Sequence, residues 1–174
     1  KNMDAIFKRR SVRRFTAQAI SEEAVTKILA AAMAAPSAGN EQPWQFIVVK
    51  EKSALKKISE CSPYARAAQD APVCIVVCGD LSLEKHEGYW VQDCSAAVEN
   101  MLVEIQDLGL GAVWLGVYPC EDRVAFLKEY FALPSHIVPF AIVPVGFPAQ
   151  TLPPADRYDP NRVHQEKWGR PPSP

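Results

Sequence analysis

Between Phe7 and Phe15 the chain reads FKRRSVRRF, and five of these nine residues (Lys8, Arg9, Arg10, Arg13 and Arg14) are basic. The full 174 residues contain 19 Lys and Arg against 20 Asp and Glu, a formal net charge of -1. The basic run is therefore a local concentration in a chain with no positive surplus. A guanidinium offers a planar fork of N–H donors that matches phosphate bidentately and stays charged at any working pH. Ser11 adds a hydroxyl donor, and Arg9, Arg10 and Arg13 lie three and four residues apart, a spacing that shares one face if the segment is helical. Three readings stand at this point. A nucleic-acid backbone is disfavoured by the near-neutral charge, the shortness of the patch, and Glu22 and Glu23 close behind it. A solvated helix start is the plain alternative. A phosphate monoester, carrying between one and two negative charges near neutrality, suits two or three arginines.

No glycine cradle accompanies the arginines. The sequence has no GxxxxGK[ST], and glycines 109, 111 and 116 follow a helical pattern with a spacing one residue too long for the dinucleotide fingerprint. A phosphate would then be held by side chains. A second chemistry-bearing stretch is PSAGNEQPWQF, Pro36 to Phe46. Its prolines stiffen a turn that Gly39 lets close tightly. Asn40 and Gln42 each present donors and an acceptor on one planar group, equipment for reading the edge of a flat heterocycle. The plain alternative is a turn built from turn residues, with Trp44 as a core anchor. Cys61, Cys74, Cys78, Cys94 and Cys120 are scattered and odd in number, which fits a reducing compartment better than a disulfide framework. No histidine lies near a cysteine pair, so no metal site is expected.

The elements that must position these stretches follow from periodicity. Ser21 to Ala34 reads as a helix with Ser21 as N-cap and Val25, Ile28, Leu29, Ala32 and Met33 on its apolar face. A buried strand is expected at 45–49, a small helix near 54–59, and a second buried strand at 73–78 that puts Cys74, Val76 and Cys78 on one face. Residues 89–108 carry Val91, Cys94, Val98, Met101, Leu102, Ile105 and Leu108 at helical spacing, a seam for the core or for a subunit interface. A strand over 111–117, a helix over 121–131 and a strand over 136–146 follow, with Pro139 and Pro144 signalling edges or bulges in the last. Seven of the final 27 residues are proline, yet Tyr158 and Trp168 are among them, as in an arm that docks on a surface. No apolar run is long enough to span a membrane, and the first residues lack the apolar stretch of a secretory signal, so a cytoplasmic chain is expected. The expected fold class is α+β, a layered domain over 1–147 with a central mixed sheet flanked by helices, and an extended C-terminal arm over 148–174.

Together RRSVRRF, APSAGNEQPWQF, GLGAVWLGVYP, VPVGFP and the tail containing PPADRYDPNRVH resemble the flavin-dependent nitroreductase family, in the family's usual order. The resemblance implies a nitroreductase-like fold and a homodimer with FMN at its subunit interface, with no nucleic-acid partner and no membrane. It assigns Arg9, Arg10, Ser11 and Arg13 of one subunit to the phosphate, the ribityl chain and the pyrimidine side of the ring. Arg13 is the choice for stabilising negative charge on the reduced ring. Pro36, Ser37, Ala38 and Asn40, with Gln42 beside them, match the loop the other subunit lays against the flavin. Leu115 and Gly116 match the strand end whose backbone faces the ring. Arg157 matches a basic residue closing on the phosphate, with Arg162 a weaker candidate. The activity implied is NAD(P)H-dependent reduction of nitroaromatics, quinones or similar electron-poor acceptors by a ping-pong hydride mechanism. No side chain is assigned a catalytic acid or base role. Alternatives are reductive dehalogenation or flavin fragmentation on the same fold, or a non-catalytic flavin-binding module. His86, Tyr89 and Trp90 are candidates for stacking on a substrate or, equally, for anchoring a loop.

Overall fold

The computed structural model describes residues 4–171; the outermost residues of the expected domain and arm lie outside that range. A short helix, α1 (Asp4–Lys8), ends where the arginine run begins. Helix α2 (Glu22–Met33) starts at Ser21, whose hydroxyl oxygen accepts from the Ala24 N–H at 3.1 Å and so occupies one of the otherwise unpaired first-turn donors. Val25, Ile28 and Ala32 are buried as expected, whereas Met33 at the helix end is exposed. Strand β1 (Trp44–Val49), helices α3 (Lys52–Ile58) and α4 (Ala67–Asp70) and strand β2 (Val73–Asp80) follow. Then come the long helix α5 (Trp90–Asp107), two-residue strands β3 (Gly111–Ala112) and β4 (Leu115–Gly116), helix α6 (Glu121–Tyr130) and strand β5 (Ile137–Gly146).

The strands form one sheet in the order β1-β2-β5-β3, with β4 also on β5. Every pairing between these strands is antiparallel, and the single parallel pairing described is the isolated bridge of Ser11 with Ala112. The sheet is therefore antiparallel where a mixed one was expected. Val49 at the end of β1 lies opposite Cys74 near the start of β2, so the intervening helices return the chain to the end it left. β1 is an edge strand with Gln45 and Val48 exposed, and only Trp44 and Val49 are buried. The strand expected at 111–117 is interrupted at Val113 and Trp114, although β3 and β4 keep one register on β5. The break faces Pro144, which has no N–H to give to the ladder. The register of β2 on β5 shifts beside Pro139, as a bulge.

Two apolar clusters sandwich the sheet. On one face Ile28 and Ala32 of α2 and Ala97, Val98 and Met101 of α5 meet Ile75, Val77 and Val143. On the other, Leu55, Ile58, Ala68 and Leu127 cover Cys74, Val76, Cys78 and Ile142. The strand alternation expected for the two cysteines holds, and burial pushes the Cys78 thiol up to about 12 and raises Cys74 as well, so both stay protonated as small apolar fillers.

The two chain ends meet beside this sandwich. Thr16 N–H donates to Phe147 O, Ala149 N–H to Arg14 O, and Ala155 N–H to Phe7 O at 2.9–3.1 Å. The near half of the arm is thus tied to the N-terminal segment of its own chain.

Candidate functional site

The arginine run is extended, not helical. Helix α1 stops at Lys8, the Val12 N–H donates to Ala112 O at 2.8 Å, and Val12 is buried against β3. Gly111 permits this approach, since a Cβ there would stand 2.8 Å from Val12 Cγ1. The convergence expected of a shared helical face is therefore lost, because cross-strand pairing fixes the backbone. Arg9 lies 3.6 Å from Glu99 on α5, and its Nε is buried with no hydrogen-bond partner. Arg10 donates through Nη1 to Pro153 O of the arm. Ser11 pairs with Ala112.

Arg13 faces elsewhere, into a cavity of about 650 Å³ lined by Arg13, Arg14, Tyr64, Arg66, Asp70 and Gln150, among others. Three guanidiniums against one carboxylate give it a positive character. Its size falls in the ~300–1,000 Å³ range of small-molecule sites. Gln150 Oε1 accepts the Arg13 N–H at 3.3 Å and so ties the cavity to the arm. Arg123 links this cavity to the end of β4: its Nη1 donates to Gly116 O at 2.8 Å, and its guanidinium carbon sits 5.9 Å from the centre of the Tyr64 ring. Leu115 is buried, whereas Gly116 is exposed and a Cβ placed on it would meet nothing within 4 Å. The backbone at Gly116 is thus uncovered on the side where a side chain would stand. A buried guanidinium nitrogen held only by a long ion pair to Glu99, a cationic cavity and an exposed glycine backbone together fit a phosphate-bearing aromatic cofactor.

The 36–42 loop is a separate rigid unit. Gly39, Asn40 and Gln42 all have left-handed φ angles of 55°, 54° and 47°. At Gly39 the left-handed φ favours glycine, and a Cβ there would lie 2.6 Å from His86 Nε2 and displace that ring. Ser37 Oγ accepts the Gln42 N–H at 3.0 Å, and Gln42 Nε2 donates to Asn40 Oδ1 at 3.0 Å. The two amides thus brace one another. Ala38 N–H donates to Asp93 Oδ1 of α5 at 2.9 Å. Pro36 is exposed at the mouth of the loop. None of these residues lines the arginine cavity of their own protomer, nor do Arg9, Arg10 and Ser11.

Trp90 is not a substrate-stacking residue: it is 6% exposed and packs edgewise on Tyr118 at 4.7 Å and Phe140 at 6.0 Å between ring centres. His86 lies against the 36–42 loop, and Tyr89 is exposed. On the arm, Arg157 is exposed, while Arg162 Nε lies 3.4 Å from Asp159. Tyr64, Arg66 and Arg123 carried no sequence signal, because nothing local in YARAAQD or EDRVAF sets them apart from ordinary surface residues. Among the described residues no group of three His, Cys, Asp or Glu could hold a metal ion, and no helix is long and apolar enough to cross a membrane.

The geometry can be set against known proteins. The model described as "Nitroreductase family" matches residues 6–62 and 59–147. A Methanothermobacter thermautotrophicus protein with the provisional name NADH dehydrogenase/NAD(P)H nitroreductase is 51% identical over 166 residues, covering 95% of this chain and 87% of that one. A Clostridium acetobutylicum crystal structure provisionally described as an NADH oxidase superposes with a TM-score of 0.93 at 45% identity, covering 95% of this chain and all of that one. A provisionally assigned nitroreductase from Desulfovibrio desulfuricans, solved in complex with FMN, gives a TM-score of 0.86 at 34% identity and covers 97% and 99% of the two chains. The chain belongs to the nitroreductase family.

Proposed function

We propose that this chain is an FMN-dependent oxidoreductase that takes reducing equivalents from NAD(P)H and passes them, by a ping-pong cycle, to nitroaromatic, quinone or similarly electron-poor acceptors. It works as a cytoplasmic homodimer with FMN between the subunits. The observation that carries this reading is the cationic cavity at Arg13, joined through Arg123 to the open backbone of Gly116.

FMN, when bound, supplies the hydride chemistry, and the chain supplies binding, orientation and electrostatics. Arg9, Arg10 and Ser11 hold the phosphate and ribityl end, and the buried Arg9 Nε, which makes no hydrogen bond and only a 3.6 Å ion pair to Glu99, supports this role. Arg13 presents its charge to the pyrimidine edge, where a cation fixed in advance favours negative charge. The Leu115–Gly116 backbone faces the ring. Pro36, Ser37, Ala38, Asn40 and Gln42 come from the second protomer, since none of them lines the cavity of its own chain. Arg157 is the arm's cation toward the phosphate, since Arg162 is engaged with Asp159. Residues 1–147 act as one domain and 148–174 as its arm.

Anaerobic addition of NADH or NADPH to the FMN-loaded protein should bleach the visible flavin band within seconds to minutes. A flavin that stays oxidised would favour a storage module. The arm has its own test. Beyond the residues tied to the N-terminal segment it exposes Tyr158 (77%) and Trp168 (90%), which suits a docking surface for the second protomer. Truncation after Asp156 keeps the local pairings and should convert the dimer to a folded monomer in sedimentation. A truncated chain that stays dimeric contradicts the arm's role.

A further inference from the structure

Glu41 and Asp93 are 5% and 4% exposed, and among the described residues neither makes an ion pair. Each has one oxygen satisfied by the backbone. Asp93 Oδ1 accepts the Ala38 N–H at 2.9 Å, and Glu41 Oε2 accepts the N–H groups of Lys85 at 2.6 Å and His86 at 3.1 Å. The remaining oxygens, Glu41 Oε1 and Asp93 Oδ2, are buried and receive no donor from other residues. Ala38 joins the two residues: its N–H donates to Asp93, and its carbonyl accepts the Glu41 N–H at 3.0 Å, so the two buried carboxyls lie at one turn and influence each other's charge. Two carboxylates have only acceptors, so a bond between their free oxygens requires one proton shared between them.

We propose that Glu41 and Asp93 share a single proton and act as a latch, positioning the 36–42 loop against the start of α5 and the 84–86 turn in the shape the flavin site needs. The functional half of this statement rests on the FMN site proposed above. The latch spans three segments: the 36–42 loop, the 84–86 turn and the start of α5. Lys85 Nζ adds a hydrogen bond to Gly39 O at 3.3 Å, and His86 lies against Gly39. Both residues therefore position the loop and take no part in the hydride chemistry.

The charged groups facing the pair are Glu84, Lys85 and His86 from the turn, with the Cys94 thiol following on α5. Burial, the bond to Glu41 and the charges of Glu41 and Glu84 push Asp93 up to about 6. Burial alone would raise Glu41, but the bond from Asp93 and the amides of Lys85 and His86 outweigh it and hold Glu41 below its ordinary value. The sign follows for each. Protonated Asp93 favours the latched loop fully below its ordinary value of 3.8, and that contribution is lost as pH rises through about 6. The Glu41 contribution is present above its own ordinary value and is lost as pH falls through its lowered one.

The test is amide hydrogen exchange at Ala38 in the flavin-free protein, corrected for intrinsic rate, from about pH 4.5 to about pH 7.5. Wild-type protection should fall about tenfold or more up to pH 6 and then level off. In Asp93→Asn the carboxamide keeps an oxygen for Ala38 and offers an N–H to Glu41 without titrating. Its protection should be flat with pH and exceed wild type near neutrality, and it should bind FMN more tightly than wild type there. Asp93→Ala should lose the protection at every pH. An Asn variant that follows the wild-type profile, or a wild-type profile that is flat, would overturn the latch. Because the amide readout needs no flavin, a chain that binds no FMN would count against the proposed function and leave the latch result standing.

Discussion

Arg13→Ala should weaken FMN binding by about 30- to 150-fold, the equivalent of about 2–3 kcal/mol for a lost hydrogen bond between charged groups. The effect is large because Arg13 reaches the cationic cavity, as Arg14 does, and is the one assigned to the flavin ring, with Gln150 holding its backbone. Arg13 is itself exposed, so heat stability should stay within about 0.5 kcal/mol of wild type. Arg13→Lys keeps the charge and loses the fork, and should fall between the two. Arg14→Ala, on the same cavity but outside the proposed contacts, should cost less. Quenching of FMN fluorescence on titration measures all three. Wild-type affinity in Arg13→Ala would remove this cavity from the account.

The second large effect concerns the frame behind the site. A Cβ at Gly79 would stand 2.2 Å from Trp90 Cε3 and 2.8 Å from Cζ3, well inside any tolerated contact. Trp90 cannot withdraw, because Tyr118 and Phe140 pack against its ring, and Gly79 cannot shift without disturbing its partners Trp44 and Val138 in the sheet. Gly79→Ala should therefore cost about 3 kcal/mol, the upper part of the usual range for overpacking. In a chain of this size that lowers the melting temperature by roughly 6–12 °C. Trp90 opens α5 three residues before Asp93, so Ala38 protection should fall in the same variant. Melting within a degree or so of wild type would show that Trp90 is not locked against the strand.

What could be read in advance was local or periodic. The Ser21 cap, the apolar stripe of α2, the seam of α5 and the single-face placement of Cys74, Val76 and Cys78 all follow from spacing within one element. Of the family motifs, the arginine run, the 111–116 strand and the start of the arm lie against one another, whereas the 36–42 loop does not line the cavity. What escaped depends on partners distant in sequence. The arginine run reads as a helical face until Ala112 and Phe147 are seen to hold it extended. The 111–117 strand reads as continuous until Pro144 is placed opposite its middle. Trp90 reads equally as a stacking aromatic or a loop anchor until Gly79 is found beneath it. Asp93 did leave a trace. It occupies a position in the buried stripe of α5, with Trp90, Cys94 and Ala97, where a lone charge demands a partner. That partner, Glu41, sits inside a turn motif whose amides drew attention away from its carboxylate.

The most direct measurement is a crystal structure of the FMN-loaded protein. The phosphate should lie on Arg9, Arg10 and Ser11 and the pyrimidine edge on Arg13 of one protomer, with the 36–42 loop of the second protomer against the ring. A flavin lodged away from the Arg13 cavity, or one fully enclosed by a single chain, would contradict the account.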